Sequence, residues 1–484
     1  MVKQAIRRFH LAAACISLLA GATPPLQSEP SPGEAKLFVR ETALGTLPLM
    51  VDPSDLGFSP DNLHYSYLVV RPGGRALCRD GIEGSTYQRI PEIRCSPDGR
   101  RVAYWAAKGD EWVVVVDGKE GKPYPRGAKD ILAFSPDGQH VAYVAGKNGG
   151  ELTRVLDGEE SRPFSQVHMV RFSPDSRHCA YAAERKGQWV VVLDGTDGAT
   201  FEDGIRPDSI CFSPDSKRLG YIASRGGKNM AVVDGRIGEA YDGIFGPVCF
   251  SPDSRHVVYS ARKGDRFRLV WDAKERGDYE DTMPDSLPFS PDGKHFVFVA
   301  VRNDKWRAVL DDVEGPEFDA ISKGSLVFSP NSQRFAYVAK RGNKWRVVVA
   351  NEREGAEFDG FHKQWVLFTP DSQHLGYLAA REGQWRMVLD GREGKPYERS
   401  LSVVSPGFVY SPDSRHVAYI ARRGGKVHLV VDGSEVGEFE AASRPFFFDS
   451  KTLRVIVTRS NQMLDTKLVR LDVTIGEQHE GRGE

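Results

Sequence analysis

Beyond residue 22 the 484-residue sequence has no apolar run approaching the roughly 20 residues a helix needs to cross a bilayer, so no membrane span is expected. Charge of one sign is also missing. Lys and Arg number 65 against 66 Asp and Glu, a formal net charge of −1. General nucleic-acid and membrane-surface binders carry a basic surplus, so nucleic acid is not expected as a partner and any electrostatic function has to be local. Cysteine is scarce, six in all. Those at 78, 95, 179, 211 and 249 are odd in number and show no paired spacing, which excludes a disulfide framework and leaves buried small hydrophobes as their expected role. No segment sustains a 3.6-residue apolar period, so helical bundles and solenoids are excluded. The G-x-S-x-G elbow of a serine hydrolase, the ligand spacing of a zinc site and the EF-hand calcium loop are all missing, and no cofactor, metal or catalytic residue is assigned.

What is present begins with a targeting pattern. Lys3, Arg7 and Arg8 precede the apolar run "LAAACISLLAGA", and Ala20-Gly21-Ala22 has the small-x-small form that signal peptidase reads. Residues 1–22 are expected to be a signal peptide and 23–35, opening "TPPLQSEPSPGE", a flexible linker, giving an exported periplasmic or extracellular protein. Cys15 follows too short an apolar stretch to read as a lipidated cysteine.

The rest, residues 36–477, is a repeat, followed by a polar tail at 478–484. The Ser of "SPD" recurs as Ser59, Ser96, Ser135, Ser173, Ser213, Ser251, Ser290, Ser329 and Ser411, with Thr369 replacing it once. The period is about 39 residues. Eight residues after each anchor stands an aromatic, Tyr67 through Tyr419, and a second one ends each unit, Tyr87 through Phe439. Between them a β-branched run leads into Asp-Gly, as in "VVVDG", which is a strand and a hairpin turn. Each unit therefore supplies four strands, A to D, with A ending at the anchor.

"FSPDSRHVAYIARR" followed by "VVVDG" resembles the propeller repeat of the TolB family, a WD-like (PD40) repeat, over roughly Gly57 to Glu477. The resemblance implies an all-β β-propeller of ten clear four-stranded units plus one degenerate unit, closing as one large ring or two tandem propellers. The N-terminal "KLFVRETAL", apolar and alternating, is expected to supply the strand that the eleventh unit lacks. The functions implied are a non-enzymatic protein-binding or cell-envelope scaffold or, alternatively, a lyase or glycosidase acting on carbohydrate inside the channel.

Within six residues Ser173, Asp175 and His178 offer the residue types of a hydrolytic triad. The His position, however, is Arg at Arg101, Arg218 and Arg334, and a general base cannot be exchanged for Arg. Catalysis breaks repeat symmetry, whereas a turn repeats wherever the chain reverses, so these residues read as turn-formers. Functional variation lies elsewhere. The D–A connection ranges from nine residues (Tyr87 to Ser96) to fourteen (Tyr397 to Ser411), and it shares a face with the B–C turns. Those turns carry Arg185, Lys186, Arg262, Lys263, Arg302, Lys340, Arg341, Arg381, Arg422 and Arg423, with Trp189, Trp306, Trp345 and Trp385 opening strand C. A basic rim with aromatics suits an anionic protein or cell-envelope partner. Asp203, Asp242, Asp281, Asp319 and Asp359 lie beside these turns and offer local charge pairing instead.

Overall fold

A computed structural model describes residues 36–47, 51, 56–283, 289–350, 352, 354–398, 407–460 and 466–476. The expected signal peptide, linker and tail lie outside these residues. The chain divides into two compact units, Ala43–Asp278 with Ser460–Leu468, and Met1–Thr42 with Tyr279–Arg459 and Val469–Glu484.

Blade 4 shows why the repeat folds as it does. Its strands A (Gln166–Phe172), B (Cys179–Arg185), C (Gln188–Leu193) and D (Thr196–Phe201) pair antiparallel in chain order. Strand B is buried on both faces. Cys179, Tyr181 and Ala183 join the cluster holding Ala142 and Phe164 of blade 3, while Ala180 and Ala182 join Tyr221 and Val232 of blade 5. A strand with two apolar faces cannot be satisfied in a lone sheet, so stacking of blades is dictated by composition. Among the described residues the same unit recurs as eleven sheets, ten of four strands and one of five, and the fold class is the β-propeller.

The two repeated aromatics meet at the blade-to-blade contact. The one ending strand D packs edge-to-face on the one in strand B of the next blade: Phe201 on Tyr221 at 6.3 Å and 84°, Phe318 on Tyr337 at 6.0 Å and 80°. A glycine stands beside several of these pairs. A Cβ at Gly198 would stand 3.2 Å from the Val191 carbonyl and 3.6 Å from the Tyr221 hydroxyl.

Blade 11 comprises Ala441–Ala442, Phe446–Phe447, Thr452–Ser460 and Thr466–Gly476, and the strand Lys36–Leu47 pairs with the last of these. The expected N-terminal contribution is therefore present and three residues longer than the alternating pattern marked. Arg459, at the end of strand B, bonds Glu41 at 2.7 Å across this closure.

One blade pair carries a matched exception. Phe172 packs against the cluster that holds Ala142 between blades 3 and 4, but in blade 10 the Phe172 position is Tyr410 and blade 9 opposes it with Gly376. A Cβ at 376 would overlap the Tyr410 hydroxyl, which is buried with no hydrogen-bond partner among the described residues. Gly376→Ala is expected to cost about 1.5 kcal/mol, and Tyr410→Phe to recover most of it, as read from denaturation midpoints of the two single variants and the double variant.

Candidate functional site: the two ends of the blades

At the A–B and C–D ends the Ser, Asp and His of the repeat form a clamp. Ser173 Oγ donates to Asp175 Oδ1 at 2.6 Å and accepts the His178 main-chain N–H at 2.9 Å. The His178 ring turns away to Asp194 of the C–D turn, with Nδ1 to Oδ2 at 2.7 Å, and the other oxygen of Asp194 accepts the Cys179 N–H at 2.9 Å. Ser173 is fully buried, and its hydroxyl is bonded to main chain and carboxylate rather than to the imidazole. Asp194 has φ of 48° and Gly195 83°, a type I′ hairpin turn that places the carboxylate back over strand B. Histidine makes the same bond to the same Asp in the other six blades that carry it, from His64–Asp80 at 2.8 Å to His374–Asp390 at 2.5 Å. Where Arg stands instead, it reaches the next blade as well, and two of the three keep the Asp bond, Arg334 taking Glu352 at 2.8 Å in its place. Arg101 reaches Asp117 at 2.8 Å and the Gly138 carbonyl at 3.0 Å. Arg218 reaches Asp234 at 2.8 Å and the Ser254 carbonyl at 3.0 Å. The Ser following the anchor Asp adds another link, as Ser216 Oγ accepts the Asp175 N–H of the preceding blade at 3.0 Å. What the residue types offered as a triad is a set of main-chain clamps.

Two of these pairs set a pH dependence. The bond to Asp311 raises the His295 pKa and the bond to Asp432 raises that of His416, outweighing burial in both cases. A raised folded-state value stabilises fully below the unfolded His value of about 6.5 and is lost as pH rises through the folded value. The anchor-side Asp98, Asp137, Asp175 and Asp215 are held low, chiefly by their Ser hydroxyls, so their contribution is present above the ordinary Asp value and lost as pH falls through the lowered one. The melting temperature should therefore fall by about 1 °C between mildly acidic pH and pH 8, a small figure because the His side chains are partly solvated. The double variant His295→Arg/His416→Arg should flatten that segment.

The B–C ends carry the predicted basic residues, and most are already engaged. Arg302 pairs with Glu314 at 2.6 Å, Arg341 with Glu354 at 3.1 Å, Arg381 with Glu393 at 2.7 Å and Arg423 with Glu435 at 2.7 Å. Lys263 stands 3.6 Å from Glu275 and Arg185 3.8 Å from Asp197. The partner is always the residue three after the C–D Asp, and the guanidinium also lies over the strand D aromatic of the preceding blade, as Arg341 does over Phe318 at 4.9 Å and Arg381 over Phe358 at 4.8 Å. In blades 6 to 9 a second cation reaches the same acid from strand C, as Arg268 does to Glu275 at 2.5 Å and Arg346 to Glu354 at 2.6 Å. These acids were missed in the sequence, although D-G-x-E stands in five of the ten units and an acid three after the turn residue in all but the one with Ile237.

Among the described residues, no carboxylate bonds Lys186, Arg262, Lys340 or Arg422. Lys186 sits exposed in its turn with φ of 54°. Arg262 lies over Phe245 at 5.7 Å and Lys340 over Trp345 at 5.7 Å. Trp189, Trp306, Trp345 and Trp385 are half-buried against the clusters between blades, and each exchanges main-chain bonds with the aromatic ending its own strand D. The acids beside the turns pair locally as expected, Asp242 with Lys228, Asp319 with Lys305 at 2.6 Å and Asp359 with Lys344 at 2.5 Å, and they cap turns as well. Asp242 Oδ2 accepts the Gly264 N–H at 2.7 Å and Asp319 Oδ2 the Gly342 N–H at 2.7 Å. Asp281 is a correction: it accepts the adjacent Thr282 N–H, and Glu280, next to Tyr279, caps the Asn303 turn at 3.1 Å. Cys95 is another, since it is exposed at the end of strand A, where a buried residue was expected. Cys179 is buried as expected, which pushes its thiol up to about 11.

Compared with known proteins, the chain matches no family model and no curated protein. Solved structures resemble it at low identity. A eukaryotic initiation factor aligns at 11% identity over 78% of this chain and 96% of its own, with a TM-score of 0.40. TolB from Acinetobacter baumannii aligns at 15% over 54% of this chain and 77% of its own, with a TM-score of 0.27. The β-propeller domain of the Trilobed protease from Pyrococcus furiosus aligns at 14% over 55% and 94%, with a TM-score of 0.27. The propeller assignment rests on the eleven sheets themselves.

Proposed function

We propose that this chain is an exported, non-enzymatic propeller scaffold that binds a protein or cell-envelope component of anionic character through the blade ends carrying the B–C turns and D–A connections. The observation behind this reading is the division of labour between the two ends. The Ser–Asp–His/Arg sets are spent, blade after blade, on closing turns, with Glu352 taking the acid's part in one of them, which leaves no unpaired set of this kind among the described residues. Length and side-chain variation gather at the opposite end, where Lys186 and Arg262 in one unit and Lys340 and Arg422 in the other have no carboxylate within bonding distance among the described residues. Export rests on the N-terminal pattern of the sequence.

Two variants test this, Lys186→Ser/Arg262→Ser and Lys340→Ser/Arg422→Ser, each compared with the wild type for recovery of partners from cell-envelope extract. Loss of a partner with either variant, at unchanged melting temperature, is the expected result. Equal recovery by all three proteins, or turnover of polygalacturonate by the wild type, would overturn it.

A further inference from the structure

The outer edges of most blades are short or interrupted by a register shift, as in blades 1, 4, 5 and 10, and that of blade 11 is the longest among the described residues. Strand D has two residues in blades 2, 3, 7 and 9, six in blades 1, 4, 5, 6 and 10, and only isolated bridges such as Trp345 to Phe358 in blade 8. Several are charged throughout, as Lys119–Glu120 and Arg392–Glu393 are. Short, charged edges refuse further strands. Blade 11 ends instead in the twelve-residue strand Lys36–Leu47, which among the described residues pairs on one side only. Phe38 and Val39 on it are 53% and 42% exposed. Phe38 is not loose: it covers Gly476, where a Cβ would stand 2.8 Å from its ring.

The charge along this strand is uneven. Glu41 is neutralised by Arg459. Lys36, Phe38 and Arg40 alternate onto the other face by the two-residue period of a strand, with the Lys36 ammonium 5.3 Å from the Phe38 ring, and neither cation has a carboxylate partner among the described residues. Directly opposed residues on neighbouring strands favour opposite charge and apolar-on-apolar pairs.

We propose that this edge is a strand-addition site for an extended peptide segment of a partner protein, whose alternate side chains read acidic, apolar, acidic against Lys36, Phe38 and Arg40. Main-chain hydrogen bonds to the free edge supply affinity, and the two cations set the sequence preference. The site is separate from the B–C ends and stands or falls without them.

The test uses the full chain and labelled dodecapeptides, one alternating Glu with Val, one alternating Lys with Val, and a copy of the first N-methylated at every second residue, read by fluorescence anisotropy at low salt. The Glu–Val peptide is expected to bind about tenfold tighter than the Lys–Val peptide and the N-methylated copy not at all. Lys36→Glu/Arg40→Glu is expected to reverse the preference at unchanged melting temperature. Equal binding of the two charged peptides, an unaltered preference in the reversed variant, or binding of the N-methylated copy would overturn the site. So would a concentration-dependent dimer that Phe38→Lys abolishes while the wild type ignores the peptides, because a second copy would then be the occupant.

Discussion

Deletion of residues 36–47 from the full chain is expected to lower the midpoint of thermal unfolding by about 10 °C or more, on the order of 5 kcal/mol at roughly 2 °C per kcal/mol for a chain of this size. The strand closes the eleventh sheet, and without it Thr466–Gly476 becomes an open edge with its main-chain groups unpaired. Each such hydrogen bond contributes about 1 kcal/mol net, so a handful accounts for most of the loss. Removal also uncovers the apolar cluster beneath Leu37, breaks the Arg459–Glu41 pair, and strips the Tyr65 hydroxyl of the Leu44 carbonyl it bonds at 2.7 Å. A peptide of residues 36–47 added in trans should restore part of the midpoint. An unchanged midpoint would mean that the strand contributes nothing to closure.

Glu314→Ala carries the second largest effect. Glu314 sits between Arg302 and Arg307, each at 2.6 Å, and the Arg307 side chain is only 11% exposed. Alanine leaves two guanidinium groups facing each other over the site. The cost is about 2–3 kcal/mol, below that of a fully buried pair because Glu314 itself is 22% exposed and Glu317 still reaches Arg307 at 2.6 Å. Glu314→Gln should fall between, while Arg302→Ser should cost well under 1 kcal/mol because Arg307 remains paired. Equal losses for Glu314→Ala and Arg302→Ser in urea denaturation would remove the bracketed geometry as the cause.

The comparison between Arg302 and Arg307 also shows where sequence reading stops. The period, the four strands and the two aromatics are local patterns and were all legible. So was the structural role of Ser173, Asp175 and His178, because interchange of His with Arg argues against a base without any coordinates. That His178 bonds Asp194 was not legible, since their sixteen-residue separation matters only once strands B and C are in register. Nor was the use made of the basic residues. Arg341 reads as a rim charge in one dimension, but its partners are Glu354, across the blade, and Phe318, from the blade before. Contacts between blades carry no fixed spacing in the chain, which is also why Gly376 looked like any other glycine until Tyr410 was placed against it.

The structural role of the repeated clamp is tested most directly by one substitution moved from blade to blade. Asp194→Ala, Asp234→Ala and Asp390→Ala each remove the carboxylate that accepts the first strand B N–H, at 2.9, 3.0 and 2.9 Å, and that holds His178, Arg218 or His374. Each should lower the unfolding free energy by a similar amount, about 1–2 kcal/mol, measured under identical conditions. Uniform loss in all three is the expected result. A single blade whose substitution leaves stability unchanged or raises it, while the other two fall, would mark that blade's set as a functional site and contradict the clamp.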